Sequence, residues 1–266
     1  MTNLDRIKLD RKTAVSEQFD RISKEYFSER LSPENIRERQ RIFSLINCNV
    51  KYQHALDIGC GPGTIAEDML KISEKVYGID ISEDMVKTAV EKFSHYRHKE
   101  RVFFEVGDAE SLKFPDQYFD VVFCIGVLRY TSSWERAMQE IYRVLKPDGV
   151  VVVTFFYRFS PHWFSMSFLY RPLLPVIALA QKISLKACIA KYKAEPLPFS
   201  YRKFKKVFYT CGFREMELQH SGFTVFPVNR LFPKLSTNLY LKMESAFFKS
   251  SILGWLGSIC IVKGTK

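Results

Sequence analysis

Residues 55–64 read ALDIGCGPGT, an acid closing a short apolar run and glycines at alternate positions after it. Gly59, Gly61 and Gly63 let a ligand approach the backbone closely, and the amides that follow can be aimed at it, which suits a nucleotide-like molecule. The spacing is not that of a dinucleotide fingerprint, because Thr64 stands where the third fingerprint glycine belongs. No Lys-Ser or Lys-Thr follows, which excludes a P-loop. Asp57 repels a polyphosphate and favours a ligand bearing an ammonium or sulfonium. These residues, with Cys60 inside the turn, ask for a cationic nucleoside. A second acid, Asp80, follows in KVYGIDIS, where an acid at a strand end accepts from two ribose hydroxyls.

The elements that must position these residues can be read from periodicity. Ala55 to Ile58 is a strand, and Ile65, Ala66, Met69, Leu70 and Ile72 recur at helical spacing behind the turn. A second strand ends at Asp80, and Ser82 caps a helix that begins with Glu83 and Asp84. RVFFEVGDAE gives a third strand ending at Asp108, and FDVVFCIGVLRYT a fourth ending near Ile125 and Gly126. GVVVVTFFY, after the turn LKPDG, is the fifth; FREMELQ and SICIVKG supply the sixth and seventh. His54 is placed just before the first strand.

LDIGCGPGT, YGIDIS, GDAESLKFPDQYFDVVFCIGVLRY and RVLKPDGVVVVTFF, in this order, resemble the class I S-adenosylmethionine-dependent methyltransferases, and among them the ubiquinone and menaquinone biosynthesis branch. The resemblance covers roughly residues 52–157. It implies an α/β, Rossmann-like fold with a seven-stranded, mostly parallel sheet and helical cap insertions, and S-adenosyl-L-methionine as cofactor. It further implies that Gly59, Gly61 and Gly63 pass under the methionine part, with Asp57 near its ammonium. Asp80 takes the ribose hydroxyls, Ile81 covers an adenine face, Asp108 and Ala109 meet the adenine edge, and Ile125 supplies backbone. EQFDRISKEYFSER resembles the lid helix of the family, which puts Tyr26 over the methionine carboxylate. The domain reading is 1–50 lid helices, 51–157 cofactor core, 158–199 aromatic and basic cap, and 200–266 completion of the sheet with a second insertion.

The length of 266 residues suits one α/β domain with additions. Six scattered cysteines, with no Cys-x-x-Cys and no paired histidines, fit reduced thiols in a cytoplasmic protein and offer no metal site. The N-terminus alternates charge, so no secretory signal is expected. Charge divides unevenly: residues 1–150 carry 23 Lys and Arg against 25 Asp and Glu, residues 151–266 carry 17 against 4. The basic half also holds 22 of the 39 aromatic residues. Its insertion FSPHWFSMSFLYRPLLPVIALAQKI has two uncharged runs, too short for the roughly 20 apolar residues of a bilayer span and interrupted by Pro172 and Pro175. An interfacial or pocket-lining segment fits better, with Trp163, Phe164, Phe168 and Tyr170 in the lipid boundary and Lys182, Lys186, Lys191 and Lys193 at anionic headgroups. The alternative is a soluble aromatic cap around the acceptor. Nucleic acid ranks third, since the apolar run 173–180 has little use on an RNA surface.

Methyl transfer from a sulfonium is an in-line displacement in which positioning and exclusion of water do most of the work. A phenol, hydroxyl or acidic carbon acceptor needs a base, and Tyr130 and His162, after the fourth and fifth strands, are the candidates. The expected function is methylation of a lipophilic small molecule, such as a quinone precursor, a polyketide-like phenol or a lipid, by an enzyme at the inner face of an anionic membrane. The competing reading is a subunit that binds the cofactor without turnover.

Overall fold

Apolar residues fill consecutive positions in the central strand segments, the pattern of a parallel sheet covered on both faces. The computed structural model describes residues 3–29, 33–157, 160, 164, 168, 199–222, 242–243 and 257–266. Its strands are β1 (Tyr52–Ile58), β2 (Ser73–Asp80), β3 (Val102–Val106), β4 (Phe119–Cys124), β5 (Leu145–Phe156), β6 (Arg214–Ser221) and β7 (Ile259–Thr265). They form one sheet in the order β3-β2-β1-β4-β5-β7-β6, with β7 antiparallel to both neighbours and the other pairings parallel. This is the class I methyltransferase arrangement.

The helices are α1 (Asn3–Glu29), α2 (Pro33–Ser44), α3 (Ala66–Ile72), α4 (Glu83–Ser94), α5 (Trp134–Val144) and α6 (Tyr201–Thr210). Because side chains alternate along a strand, each strand feeds both faces. Leu56, Ile58, Val122, Cys124 and Val153 pack with Met138 and Ile141 of α5 and Phe204 and Phe208 of α6. Ala55, Val121, Phe123 and Val152 pack with Ile42 of α2, Met69 and Leu70 of α3 and Phe93 of α4. Ser82 caps α4 as expected, its hydroxyl accepting from Met85 N at 3.1 Å.

Three local expectations change. β3 ends at Val106 rather than Asp108: Gly107 N makes the last ladder bond, to Asp80 O at 2.9 Å, and Asp108 Oδ1 then accepts from Glu110 N at 2.9 Å, closing a turn. β5 begins at Leu145, the first residue of LKPDG, and so takes in the stretch expected to be a turn: Leu145 pairs with Phe119, the register then shifts, and Val150 pairs with Val121. Asp148, at φ +60°, takes up that irregularity inside the strand. His54 lies within β1, its ring stacked on Tyr118 at 4.4 Å, a packing role.

Candidate functional site

The chain order places β1 and β4 side by side at the centre of the sheet, with β2 and β3 on one flank and β5 on the other. A crevice opens above the carboxyl ends at such a reversal. The turn after β1 is held to β2 from above. Gly59 N and Cys60 N both donate to Ile79 O, at 2.7 and 2.9 Å, and Gly61 N donates to Asp80 Oδ2 at 2.8 Å. Ser82 N donates to Asp80 Oδ1 at 2.9 Å. Gly59 and Gly61 sit at φ +71° and +52°, the left-handed region. Burial pushes the Asp80 carboxyl above its ordinary value, against the N–H groups of Ser82, Gly61 and Ile81, which favour its charged form. Asp80 is therefore a strut for the glycine turn as well as an acceptor at the crevice.

Two cavities meet at this turn. The larger, of about 720 Å³, is bounded by Gly59, Gly61, Asp80, Ile81, Asp108, Ala109, Ile125 and Tyr130 from the sheet edge and by Tyr26 from α1. The smaller, of about 550 Å³, lies between the turn and α2, where Asp57, Cys60 and Thr64 face Asn35 and Glu38. Tyr26, Gly59, Gly61 and Ile125 line both. Residues named for the cofactor from separate parts of the sequence thus line two cavities that share these four residues. Gly63 is the departure, lining neither cavity. A Cβ there would meet Phe93 Cε2 at 2.9 Å and Phe104 Cζ at 3.1 Å, so its lack of a side chain serves the packing of α4 and β3. Cys60 lines the smaller cavity but is buried, and burial raises its thiol well above the usual range, with Asp57 and Asp80 adding to the effect. His162 and Trp163 lie outside the described residues.

α1 crosses the mouth of the crevice, and its attachments are polar at both ends of the contact. Asp20 Oδ1 accepts from Ser82 Oγ at 2.5 Å and from Asp84 N at 3.3 Å, and Ser16 Oγ donates to Ile81 O at 3.1 Å. Lys12 Nζ is 2.6 Å from Asp108 Oδ2 and 3.4 Å from Glu110 Oε2. Glu110 is buried, and its Oε1 accepts from Ser132 N at 2.7 Å. Between these anchors Phe19 packs edge-on against Tyr130 and Tyr26, with centroids 5.1 and 6.0 Å away. α2 is tied to the same turn by Arg39, which donates to Thr64 O at 3.2 Å and pairs with Asp68 at 3.1 Å. Sequence reasoning found Tyr26 but missed Lys12, Phe19 and Glu110. Only Glu110, next to GDA in the sequence, carried a local signal.

Residues 56–153 match the family described as "Methyltransferase domain". The chain is 35% identical over 100 residues to sterol 4-C-methyltransferase strm-1 of Caenorhabditis elegans, covering 38% of this chain and 30% of that protein. It is 37% identical over 99 residues to demethylmenaquinone methyltransferase of Symbiobacterium thermophilum, covering 36% and 39%. Both alignments span well under half the length of those relatives. A crystal structure of a SAM-dependent methyltransferase from Thermotoga maritima, described as a possible histamine N-methyltransferase, superposes with a TM-score of 0.60 at 22% identity, over 94% of this chain and 99% of that one. The chain therefore carries a methyltransferase domain of the S-adenosylmethionine-dependent kind.

Proposed function

We propose that the protein transfers a methyl group from S-adenosyl-L-methionine to a lipophilic small molecule. The observation that carries this reading is the space left by Gly61. A Cβ there would have only Tyr26 Cε1 at 3.7 Å and Met85 Sδ at 3.9 Å around it, both atoms of cavity-lining residues, so the missing side chain is room for a ligand rather than for the protein. The donor set fits an adenosyl group with an amino-acid tail. Asp80 is offered to the ribose hydroxyls, Ile81 and Ala109 to the faces of the base, and Asp108 to its exocyclic amine. Asp57, with Cys60 and Thr64 around the smaller cavity, is offered to the ammonium, and Tyr26 closes over the tail.

The bound cofactor supplies an electrophilic methyl on a sulfonium; the chain has to bring the acceptor into line with it and keep water out. Phe19, Tyr26 and Tyr130 give the crevice an aromatic wall, a surface that suits an apolar acceptor better than water. Tyr130 is proposed as the group that hydrogen-bonds or deprotonates the acceptor, with His162 as the second candidate. The names of the relatives span sterol, menaquinone and amine chemistry, and within that range we favour a quinone precursor, a polyketide-like phenol or a lipid.

The segment 158–199 is proposed as a cap that meets an anionic membrane surface and admits the acceptor. Phe164 and Phe168, one helical turn apart in sequence, are stacked at 4.6 Å and exposed by 57% and 59%, a costly arrangement in water unless something apolar covers them. On α6, Phe204 and Phe208 are buried while Arg202, Lys205 and Lys206 face solvent. Lys203 is engaged, 2.7 Å from Glu135. No helix among the described residues is long and apolar enough to cross a membrane. Sedimentation with vesicles tests the cap. Binding to anionic but not neutral lipid should weaken with salt, Lys205→Gln with Lys206→Gln should remove the salt-sensitive part, and Phe164→Ser with Phe168→Ser the remainder. Absence of sedimentation with anionic vesicles at low salt refutes the membrane surface and leaves a soluble acceptor pocket. Turnover of the labelled cofactor against hydrophobic acceptors tests the chemistry itself; cofactor binding without turnover on any acceptor selects the non-catalytic subunit.

A further inference from the structure

Arg129 follows β4, one residue before Tyr130, which lines the larger cavity. Its guanidinium lies 4.0 Å from the ring centre of Phe156, the last residue of β5, and 4.7 Å from that of Tyr130. A guanidinium set against two ring faces keeps its N–H edge for a hydrogen-bonding partner. Among the described residues the Arg129 guanidinium has no hydrogen-bond acceptor and no ion pair, and its Nε is buried without a partner. A second arginine, from α1, holds the Arg129 backbone. Arg11 Nη2 donates to Arg129 O at 3.0 Å, and the Arg11 Nε is likewise buried without an acceptor. The carboxylate that acts on Arg11, Glu110, already accepts from Ser132 N and pairs with Lys12.

A buried Nε–H without an acceptor is costly, and a guanidinium with no carboxylate beside it gains charge-assisted hydrogen bonds through its Nη groups when an anion arrives. The sequence that continues from β5 has little anion to offer. Between residues 158 and 198 its one carboxylate is Glu195, against Arg158, Arg171, Lys182, Lys186, Lys191 and Lys193. We propose that Arg129, backed by Arg11, binds an oxyanion, a carboxylate or phosphate, carried on the apolar body of the methyl acceptor. This inference rests on the methyltransferase reading for the word acceptor; the anion site itself stands on the two arginines. The aromatic wall of Phe19 and Tyr130 takes the apolar body, the guanidinium edge takes the charge, and the distance between them selects which atom of the acceptor faces the crevice. A neutral lipophile of the same shape lacks that second point of attachment.

The test uses 1-naphthyl phosphate and 1-naphthol, one apolar body with and without the oxyanion, titrated calorimetrically into the full chain with S-adenosylhomocysteine bound. The phosphate should bind at least about tenfold more tightly than the naphthol, the difference expected of one charge-assisted hydrogen bond. Arg129→Gln should bring the two ligands to within about threefold while leaving S-adenosylhomocysteine affinity unchanged; Arg129→Lys should keep part of the preference. A guanidinium that only packs between rings gives a different result: destabilisation in Arg129→Gln with the preference intact, which overturns the proposal. Equal affinity of both ligands for the unaltered protein, or binding of neither, also overturns it. If the chain fails to take S-adenosylhomocysteine, the methyltransferase reading falls, and the same comparison on the unliganded chain still decides the anion site. Phosphatidylglycerol vesicles separate the sources. A loss of sedimentation in Arg129→Gln identifies a lipid phosphate as the oxyanion, and unchanged sedimentation with lost naphthyl phosphate binding identifies a soluble acceptor.

Discussion

Gly59 and Gly61 are two residues apart in one turn, yet substitution at each should fail in a different way. At Gly61 an added methyl meets only Tyr26 Cε1 at 3.7 Å and Met85 Sδ at 3.9 Å, ordinary contact distances, so the protein alone feels little crowding. What Gly61→Ala does incur is the left-handed conformation at φ +52°, about 1–2 kcal/mol, partly offset by about 0.4–1 kcal/mol from the stiffer unfolded chain. The net is about 1 kcal/mol, or about 2–4 °C in Tm for a domain of this size. At Gly59 the methyl would lie 2.1 Å from Val127 Cγ2, and relieving that overlap adds about 1–3 kcal/mol to the same conformational cost. Gly59→Ala should therefore melt several degrees below Gly61→Ala. Affinity should rank the other way, because the Gly61 methyl projects into the crevice while the Gly59 methyl is aimed at the loop after β4. Gly61→Val should lose S-adenosylhomocysteine affinity by about a hundredfold, equivalent to roughly 2.7 kcal/mol. Differential scanning calorimetry and titration calorimetry on the same samples measure both. Gly61→Val binding within about threefold of the unaltered protein, with its fold intact, would refute the assignment of the turn as the ligand seat.

Asp80 predicts a pH dependence. Donation from ribose hydroxyls favours its charged form, so the bound state has the lower pKa and binding releases the proton held below the raised free-state value. S-adenosylhomocysteine affinity should be flat above that value and fall by up to about tenfold per pH unit below it, with Asp80→Asn removing the dependence; affinity that rises on acidification contradicts the reasoning. Lys12→Met should loosen α1, raising hydrogen exchange of its amides by about fivefold, the equivalent of about 1 kcal/mol for a part-exposed ion pair, while the amides of β4 and β5 stay unchanged. Tyr130→Phe and His162→Gln should each lower turnover while leaving cofactor affinity alone, and normal turnover in both means that positioning without a base carries the reaction.

The parts of the fold that could be read from sequence are those with local causes. Ser82 before Glu83 and Asp84 declares a helix start through its own hydroxyl, and the alternation of Val121, Val122 and Phe123 between two packed faces needs no distant information beyond a buried strand. Asp80, named from sequence because strand end and acid coincide, lines the larger cavity. Its second task, holding Gly61 N, was not legible, since that bond depends on how two neighbouring strands line up. Gly63 misled for the same reason: its spacing matches the turn, but its open side is filled by Phe93 and Phe104, rings from α4 and β3 that the spacing cannot foresee. Lys12 meets Asp108 across 96 positions, and the pairing of Arg11 with Arg129 spans 118. A basic residue on a charged helix announces no partner, so the mouth of the crevice became visible only when α1 was laid across it.

The placement of β7 has a bearing on how the sheet is put together in time. Among the described residues β7 is the last strand in sequence, yet it lies between β5 and β6, and β6 bonds to no other described strand. During synthesis β1 to β5 can pair as they emerge, each neighbour being already present or next in line. β6 emerges with nowhere to dock, and waits through residues 222–258 until β7 arrives to join it to the rest. A ribosome-bound chain therefore holds a finished crevice floor and an unsatisfied β5 edge at once, and that edge is a Val-rich template open to any passing strand. Synthesis that stalls between β6 and β7 would leave this edge without its β7 partner for as long as the stall lasts, an interval in which the chain is open to edge-to-edge pairing.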